Sequence, residues 1–332
     1  MVKLKIGVLS TAKIGREQVI PAIQRSQNAE VVAIASRNIE NAKKVAEELS
    51  IPNTYSSYLD LLNDQSIDAV YIPLPNAMHK EWVMKACEHK KHVLCEKPIT
   101  LDAAELEEIK KVAEENNVYV MEAFMYQFHP QHQKVKELLN SGAIGNVTMM
   151  RASFSFYLDD RTNIRLNNEL GGGSMYDVGC YSIHAIRNIL NQEPITVYAK
   201  SVERDNLGVD TTMTGVLSFE NGIVGLFDSS FDSTHRQEYE VIGSKGTIRV
   251  SAAFRPDTSK DGKGKVILCV DGKEPEEFSI DGDQYTLMVE DFADAITKNR
   301  ALSYTIDMAL NQMKIVEAVY RSSESNNVVI VD

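Results

Sequence analysis

No stretch of this 332-residue chain is apolar for the roughly 20 residues that crossing a bilayer requires. Its N-terminus, MVKLKIGVLS, also lacks the apolar core and small-residue cleavage site of a secretory signal, so a soluble, cytoplasmic protein with no membrane partner is expected. Cysteine is scarce. Cys87, Cys95, Cys180 and Cys269 are scattered without CxxC spacing, which supports no metal site and reads as free thiols of a reducing compartment. Basic residues are outnumbered 35 to 47, and the resulting net charge of −12 repels phosphate backbones, which excludes nucleic acid as an expected partner. Proline is sparse (9 residues) and no low-complexity tract or internal repeat occurs, so neither a disordered linker nor a solenoid is expected. What remains is a globular composition, 43% hydrophobic, on a chain too long for one small core; two domains follow, 1–122 and 123–332.

The first part alternates short apolar runs with helical periodicity, the pattern of a parallel sheet covered on both faces. Strands are expected at Leu4 to Leu9, Val31 to Ser36, Ala69 to Ile72, His92 to Cys95 and Val118 to Met121, with helices at 14–26, 39–49, 78–89 and 102–116 between them. Past residue 123 the strand candidates lengthen and carry turn signals: 147–157, 197–203, 211–219, 223–230, 238–242, 247–251 and 265–270. Asn221-Gly222 tolerates the positive φ of a tight hairpin, so this sheet should be mostly antiparallel, flanked by helices at 175–190, 285–298 and 307–322. The fold class expected is α/β: an N-terminal doubly wound Rossmann domain followed by an α+β domain with a large, mostly antiparallel open sheet.

Chemistry enters at the first strand-to-helix turn. Ser10, Thr11, Ala12, Lys13, Ile14 and Gly15 stand where a glycine-rich loop wraps a pyrophosphate, although they read S-x-A-x-x-G in place of G-x-G-x-x-G. An ordinary turn with Gly15 easing helix packing explains the loop equally well. After the second strand come Ser36 and Arg37, a hydroxyl and a guanidinium suited to a 2′-phosphate, where an NAD-preferring fold has a carboxylate. The cofactor expected is NADP(H), with NAD(H) as the alternative.

Lys97 follows a strand at the sheet's carboxyl edge, where doubly wound folds bind ligands, and Pro98 fixes the backbone beside it; an X-Pro bond there can be cis. Farther on, Ser174 and Asp177 read as a capping box, while Asp177, Tyr181 and His184 fall at i, i+4 and i+7 on one helix face, a polar stripe that needs a ligand or a buried partner.

Pro75-Asn76-Ala77-Met78-His79, Lys91 through Glu96-Lys97-Pro98, and Gly171-Gly172-Gly173-Ser174-Met175-Tyr176-Asp177-Val178-Gly179-Cys180-Tyr181 together resemble the glucose-fructose oxidoreductase, inositol dehydrogenase and MocA (Gfo/Idh/MocA) family. Tyr181 and the segment Glu122 to Pro130 are similar to its branch with dimeric dihydrodiol dehydrogenase, xylose dehydrogenase and glucose-fructose oxidoreductase. The resemblance implies hydride transfer between the nicotinamide and a sugar, polyol or related small molecule, with Lys97, Asp177 and Tyr181 as catalytic group. Tyr181 or Lys97 would move the proton, the two side chains meeting beside the nicotinamide. It further implies cofactor contacts at Leu74, Pro75, Asn76, His79 and Glu96 besides Lys97. Substrate contacts are implied at Lys97, Tyr126, Arg165, Asp177, Tyr181 and His184, with Arg161 a further cleft candidate. A homodimer or homotetramer through the second sheet is implied as well. The rival class is a sensor that binds dinucleotide and sugar without turnover; an intact Lys97, Asp177 and Tyr181 favours the enzyme.

Overall fold

The computed structural model of the chain describes residues 3–331 and resolves two compact units, 1–125 with 284–310 and 126–283 with 311–332. The expected single crossing at residue 122 therefore differs from the structure. Residues 284–310 cluster with the N-terminal unit because their polar groups complete it: Asn28 Nδ2 donates to Glu290 O and to Asp294 Oδ1, both at 2.9 Å, and the Gln27 N–H donates to Glu290 Oε1 at 3.1 Å.

In the first unit, β1 (Leu4–Leu9), β2 (Ala29–Ala35), β3 (Asn53–Tyr55), β4 (Ala69–Ile72), β5 (His92–Cys95) and β6 (Val120–Glu122) form one parallel sheet in the order β3-β2-β1-β4-β5-β6. All four residues of β4 are buried, as a strand covered on both faces must be, and each such valine or isoleucine contributes roughly 1.5–3 kcal/mol. The connecting helices are α1 (Ile20–Arg25), entered through a wide π turn at Gly15–Val19, then α2 (Ile39–Glu48), α3 (Tyr58–Asn63), α4 (His79–Glu88) and α5 (Ala103–Asn116). Side-chain caps start three of them: Asn38 for α2, Ser57 for α3 and Asp102 for α5. Strand order reverses between β1 and β4, and there Ser10 Oγ donates to Pro73 O at 3.1 Å.

The second unit begins with α6 (Pro130–Asn140) and β7 (Val147–Ser155), then α7 (Cys180–Leu190), preceded by another π turn at Met175–Gly179. The strands β8 (Thr196–Val202), β9 (Thr212–Ser218), β10 (Val224–Ser230), β11 (Arg236–Gly243), β12 (Gly246–Val250), β13 (Gly264–Val270) and β14 (Glu276–Ile280) follow. Next in the chain come α8 (Gln284–Thr297), which belongs to the first unit, α9 (Ile306–Ser325), whose residues from 311 on belong to the second, and the short β15 (Val329–Ile330). The nine strands run β14-β13-β12-β11-β7-β10-β9-β8-β15, antiparallel except for the β7–β10 pair. Gly222, at φ +82°, closes the β9–β10 turn that the Asn-Gly pair foretold. An aromatic cluster fills the core: Phe154 stacks on Phe254 at 5.1 Å, and Tyr126 meets Phe254 edge-on at 5.2 Å. Among the described residues no helix is long and apolar enough to cross a membrane.

Candidate functional site

The topology of the first unit brings the expected cofactor residues to one edge. Ser10 follows β1, Ser36 and Arg37 follow β2, Leu74, Pro75 and Asn76 follow β4, and Glu96 and Lys97 follow β5, all at the carboxyl ends of the parallel strands. Ser10 holds φ +117°, a conformation that usually selects glycine, and its hydroxyl accepts from the Ala12 N–H at 3.2 Å. A Cβ at Gly15 would meet Pro73 and Tyr71 only at 3.5 Å, ordinary contact, so packing inside the protein does not demand glycine there, contrary to the reading of Gly15 as a packing residue. Lys13 is exposed and faces Glu17 at 3.9 Å. Exposed Arg37 is hydrogen-bonded to the Tyr58 hydroxyl; burial raises the Tyr58 pKa and the guanidinium opposes that. No carboxylate occupies positions 36–38.

Polar anchors surround Lys97. The peptide between Lys97 and Pro98 is cis. Before it, Glu96 Oε1 accepts from the Tyr71 hydroxyl at 2.6 Å; after it, the Ile99 N–H donates to buried Glu122 Oε1 at 2.9 Å, and Tyr304 reaches the other Glu122 oxygen at 3.3 Å. The two ring nitrogens of His79 stand 2.7 Å from Pro98 O and 2.8 Å from Leu74 O. With no exposed surface and both nitrogens engaged, His79 holds the loop and presents no ring nitrogen to a cofactor, which differs from its expected contact role. Burial pushes its pKa down, against the two carbonyls that favour the charged ring.

In the second unit, Arg165 Nε donates to Asp177 Oδ2 at 2.6 Å, and the carboxylate raises the Arg165 pKa against the cost of burial; Tyr181 adds to that field. Tyr181 is 5% exposed, its ring 5.5 Å from Phe154 and 5.4 Å from Phe254. The other two expected substrate contacts are buried: the Tyr126 hydroxyl lies 2.6 Å from His184 Nδ1, so each satisfies the other behind the surface, and burial drives the His184 pKa well down. Arg161 pairs with Asp205, both exposed, and stays a solvated loop charge.

The capping box is not realised. Ser174 makes no side-chain cap; its hydroxyl donates to Asp210 Oδ2 at 2.7 Å, and the same oxygen accepts the Met175 N–H at 2.8 Å. Asp210, which no local sequence signal marks, therefore caps the helix in place of Ser174 and leaves Asp177 to Arg165. Gly173 makes room for it. A Cβ there would lie 2.5 Å from Asp210 Oδ1, on a residue at φ +123°. Gly173→Ala is expected to lower stability by about 2 kcal/mol or more, read as a reduced midpoint in urea unfolding. A groove of about 510 Å³ in this unit is lined by Tyr176, Asp210, Glu317, Tyr320 and Arg321 with their neighbours. Among the described residues no group of three or more His, Cys, Asp or Glu side chains is placed to hold a metal ion.

Residues 4–124 match the family described as "Oxidoreductase family, NAD-binding Rossmann fold", and residues 132–249 match the "GFO/IDH/MocA C-terminal domain". The chain is 40% identical over 330 residues to a D-xylose 1-dehydrogenase (NADP(+)) of Haloferax volcanii, covering 99% of this chain and all of that protein. It is 32% identical over 276 residues to a trans-1,2-dihydrobenzene-1,2-diol dehydrogenase of Xenopus tropicalis, covering 81% and 79% of the two chains. A 3-ketoreductase of Actinomadura kijaniata, solved with NADP and TDP-benzene, superimposes with a TM-score of 0.90 at 30% identity, over 96% of this chain and 98% of that one.

Proposed function

The chain belongs to the GFO/IDH/MocA family of oxidoreductases, and from that premise we propose that it moves a hydride between NADP(H) and a sugar or polyol, with Lys97, Asp177 and Tyr181 as its catalytic group. The observation that carries this reading is the convergence of Ser10, Ser36, Arg37, Pro75, Asn76, Glu96 and Lys97 on the carboxyl edge of one parallel sheet. These residues fit a dinucleotide. The space beside Gly15, which no packing requires, suits a close phosphate, and Arg37 with no acid beside it suits a 2′-phosphate over a bare ribose hydroxyl. Bound there, the nicotinamide supplies the hydride acceptor or donor.

What this chain must add is a proton route and a positive charge for the developing alkoxide. Tyr181 exchanges the proton with the substrate oxygen from an aromatic, water-poor wall, and the Lys97 ammonium stabilises negative charge on the substrate. Asp177, fixed by Arg165, accepts a hydrogen bond from a substrate hydroxyl and orients it. Buried Tyr126 and His184 support the Tyr181 ring and do not touch the sugar. The nine-stranded sheet is the surface through which we expect copies of the chain to associate.

The full-length likeness to a xylose dehydrogenase makes D-xylose the first substrate to try. Purified protein is mixed with NADP⁺ and D-xylose, then with NADPH and a panel of aldoses, ketoses and inositols, and nicotinamide absorbance is followed. Turnover with at least one sugar, faster with NADP(H) than with NAD(H), is expected; tight NADPH binding with no absorbance change on any sugar would turn the reading toward a sensor.

A further inference from the structure

The helix that carries Asp177 and Tyr181 is tied down by a side chain 33 residues beyond Asp177. Asp210 is buried, and its carboxylate takes three donors: the Ser174 hydroxyl (2.7 Å) and Met175 N–H (2.8 Å) on Oδ2, and the Tyr320 hydroxyl (2.7 Å) on Oδ1. Its backbone carbonyl accepts the Ser174 N–H at 2.8 Å, and Ser174 Oγ also meets Ser229 Oγ on β10 at 3.0 Å. Thus the loop before β9, the strand β10 and the helix α9 all meet at the first turn of this helix. That turn is the wide π segment Met175–Gly179, which contains Asp177 and ends two residues before Tyr181. Terminal turns are where helices fray, and a negative group there satisfies orphan amides and complements the helix dipole.

We propose that Asp210, buttressed by Tyr320, is a positioning residue that sets the placement of Asp177 and Tyr181, and so acts on turnover without touching substrate. This inference rests on the catalytic role proposed above for those two residues. The Asp177 carboxylate on the same turn is engaged by Arg165. An ionised acid is called for by geometry: with three donors to satisfy, an amide in its place would turn its NH₂ toward one of them.

Asp210→Asn is expected to lower kcat about tenfold to a hundredfold, the usual cost of misplacing reacting groups by an ångström, with NADPH affinity unchanged because the dinucleotide residues lie in the other unit. Tyr320→Phe, which keeps the carboxylate and its bonds to Ser174 and Met175, should lower kcat only a few fold, and it serves if Asp210→Asn does not fold. Amide hydrogen exchange over residues 174–182 should quicken in both variants. A folded Asp210→Asn protein with undiminished kcat overturns the proposal even if exchange quickens, since the contact would then be structural only. Equal losses of kcat and of NADPH affinity overturn it too, as general damage. Absence of turnover in the unmodified protein removes the catalytic reading and this role with it, whereas turnover that survives in the variants removes this role alone.

Discussion

Replacing Lys97 with methionine is expected to cut turnover by about a hundredfold to ten-thousandfold, the range typical of a group that stabilises charge or moves a proton in the transition state, while NADPH affinity stays within a few fold. Methionine keeps the length and apolar stem of lysine and removes only the ammonium. The loop should keep its shape, because its anchors are elsewhere: Glu96 on Tyr71, Pro98 O on His79 and the Ile99 N–H on Glu122. Stopped-flow traces and fluorescence titration of NADPH separate chemistry from binding. Undiminished turnover in a folded Lys97→Met protein would discard the assignment. If Lys97 and Tyr181 serve one proton-transfer step, the double variant Lys97→Met, Tyr181→Phe will be little worse than the worse single variant, because groups that act as a unit lose their effect together.

Mild acid is expected to weaken the second unit. Burial lowers the pKa of His129, of His184 and, to about 3, of His132, whose ring nitrogens sit 2.9 Å from the Tyr239 hydroxyl and 3.0 Å from Ala253 O. Between pH 6.5 and about 3 the unfolded chain binds a proton at residue 132 that the folded chain refuses. The stabilisation is therefore complete above pH 6.5 and is lost progressively as the pH falls through that window. At pH 5 the loss from His132 alone comes to about 2 kcal/mol, and His129 and His184 add to it. Asp210 works in the opposite direction: burial raises its pKa, so its protonation as the pH falls offsets part of the loss. Urea unfolding followed by tyrosine fluorescence at pH 7.5 and at pH 5 measures the difference; equal midpoints would contradict the burial of these rings.

The parallel sheet was legible because its central strands are short, largely buried apolar runs. The expected limits of β1, β4 and β5 coincide with those observed, and the edge elements β3 and α3 escaped notice because they are short and carry little apolar pattern. Similarly, β14 is mostly exposed and β15 is only two residues long. The mixed polar pattern of α6 hid its helix, whose buried positions include Gln131 and His132. Of the candidate site, the residues at strand ends could be placed from topology alone, whereas the helix that carries Asp177 and Tyr181 was legible only through two local rules that its surroundings overrode. The i, i+4, i+7 stripe assumed α geometry, but the first turn is π, and His184 ends up buried against Tyr126. The capping box assumed that Ser174 and Asp177 answer each other, but a carboxylate distant in sequence took that place. Interactions of that range leave no periodic trace.

The return of Gln284–Leu310 to the first unit makes that unit discontinuous in the chain. Gln27 and Asn28 wait for Glu290 and Asp294, and Glu122 waits for Tyr304, partners made only after residues 126–283. During synthesis on the ribosome, then, the nucleotide-binding half cannot finish folding until residue 310 has emerged, and the other half still awaits residues 311–332, which supply Gln312 to Arg187, Ser322 to Ala199 and Tyr320 to Asp210; a fragment cut after residue 125 would expose the ground that α8 covers.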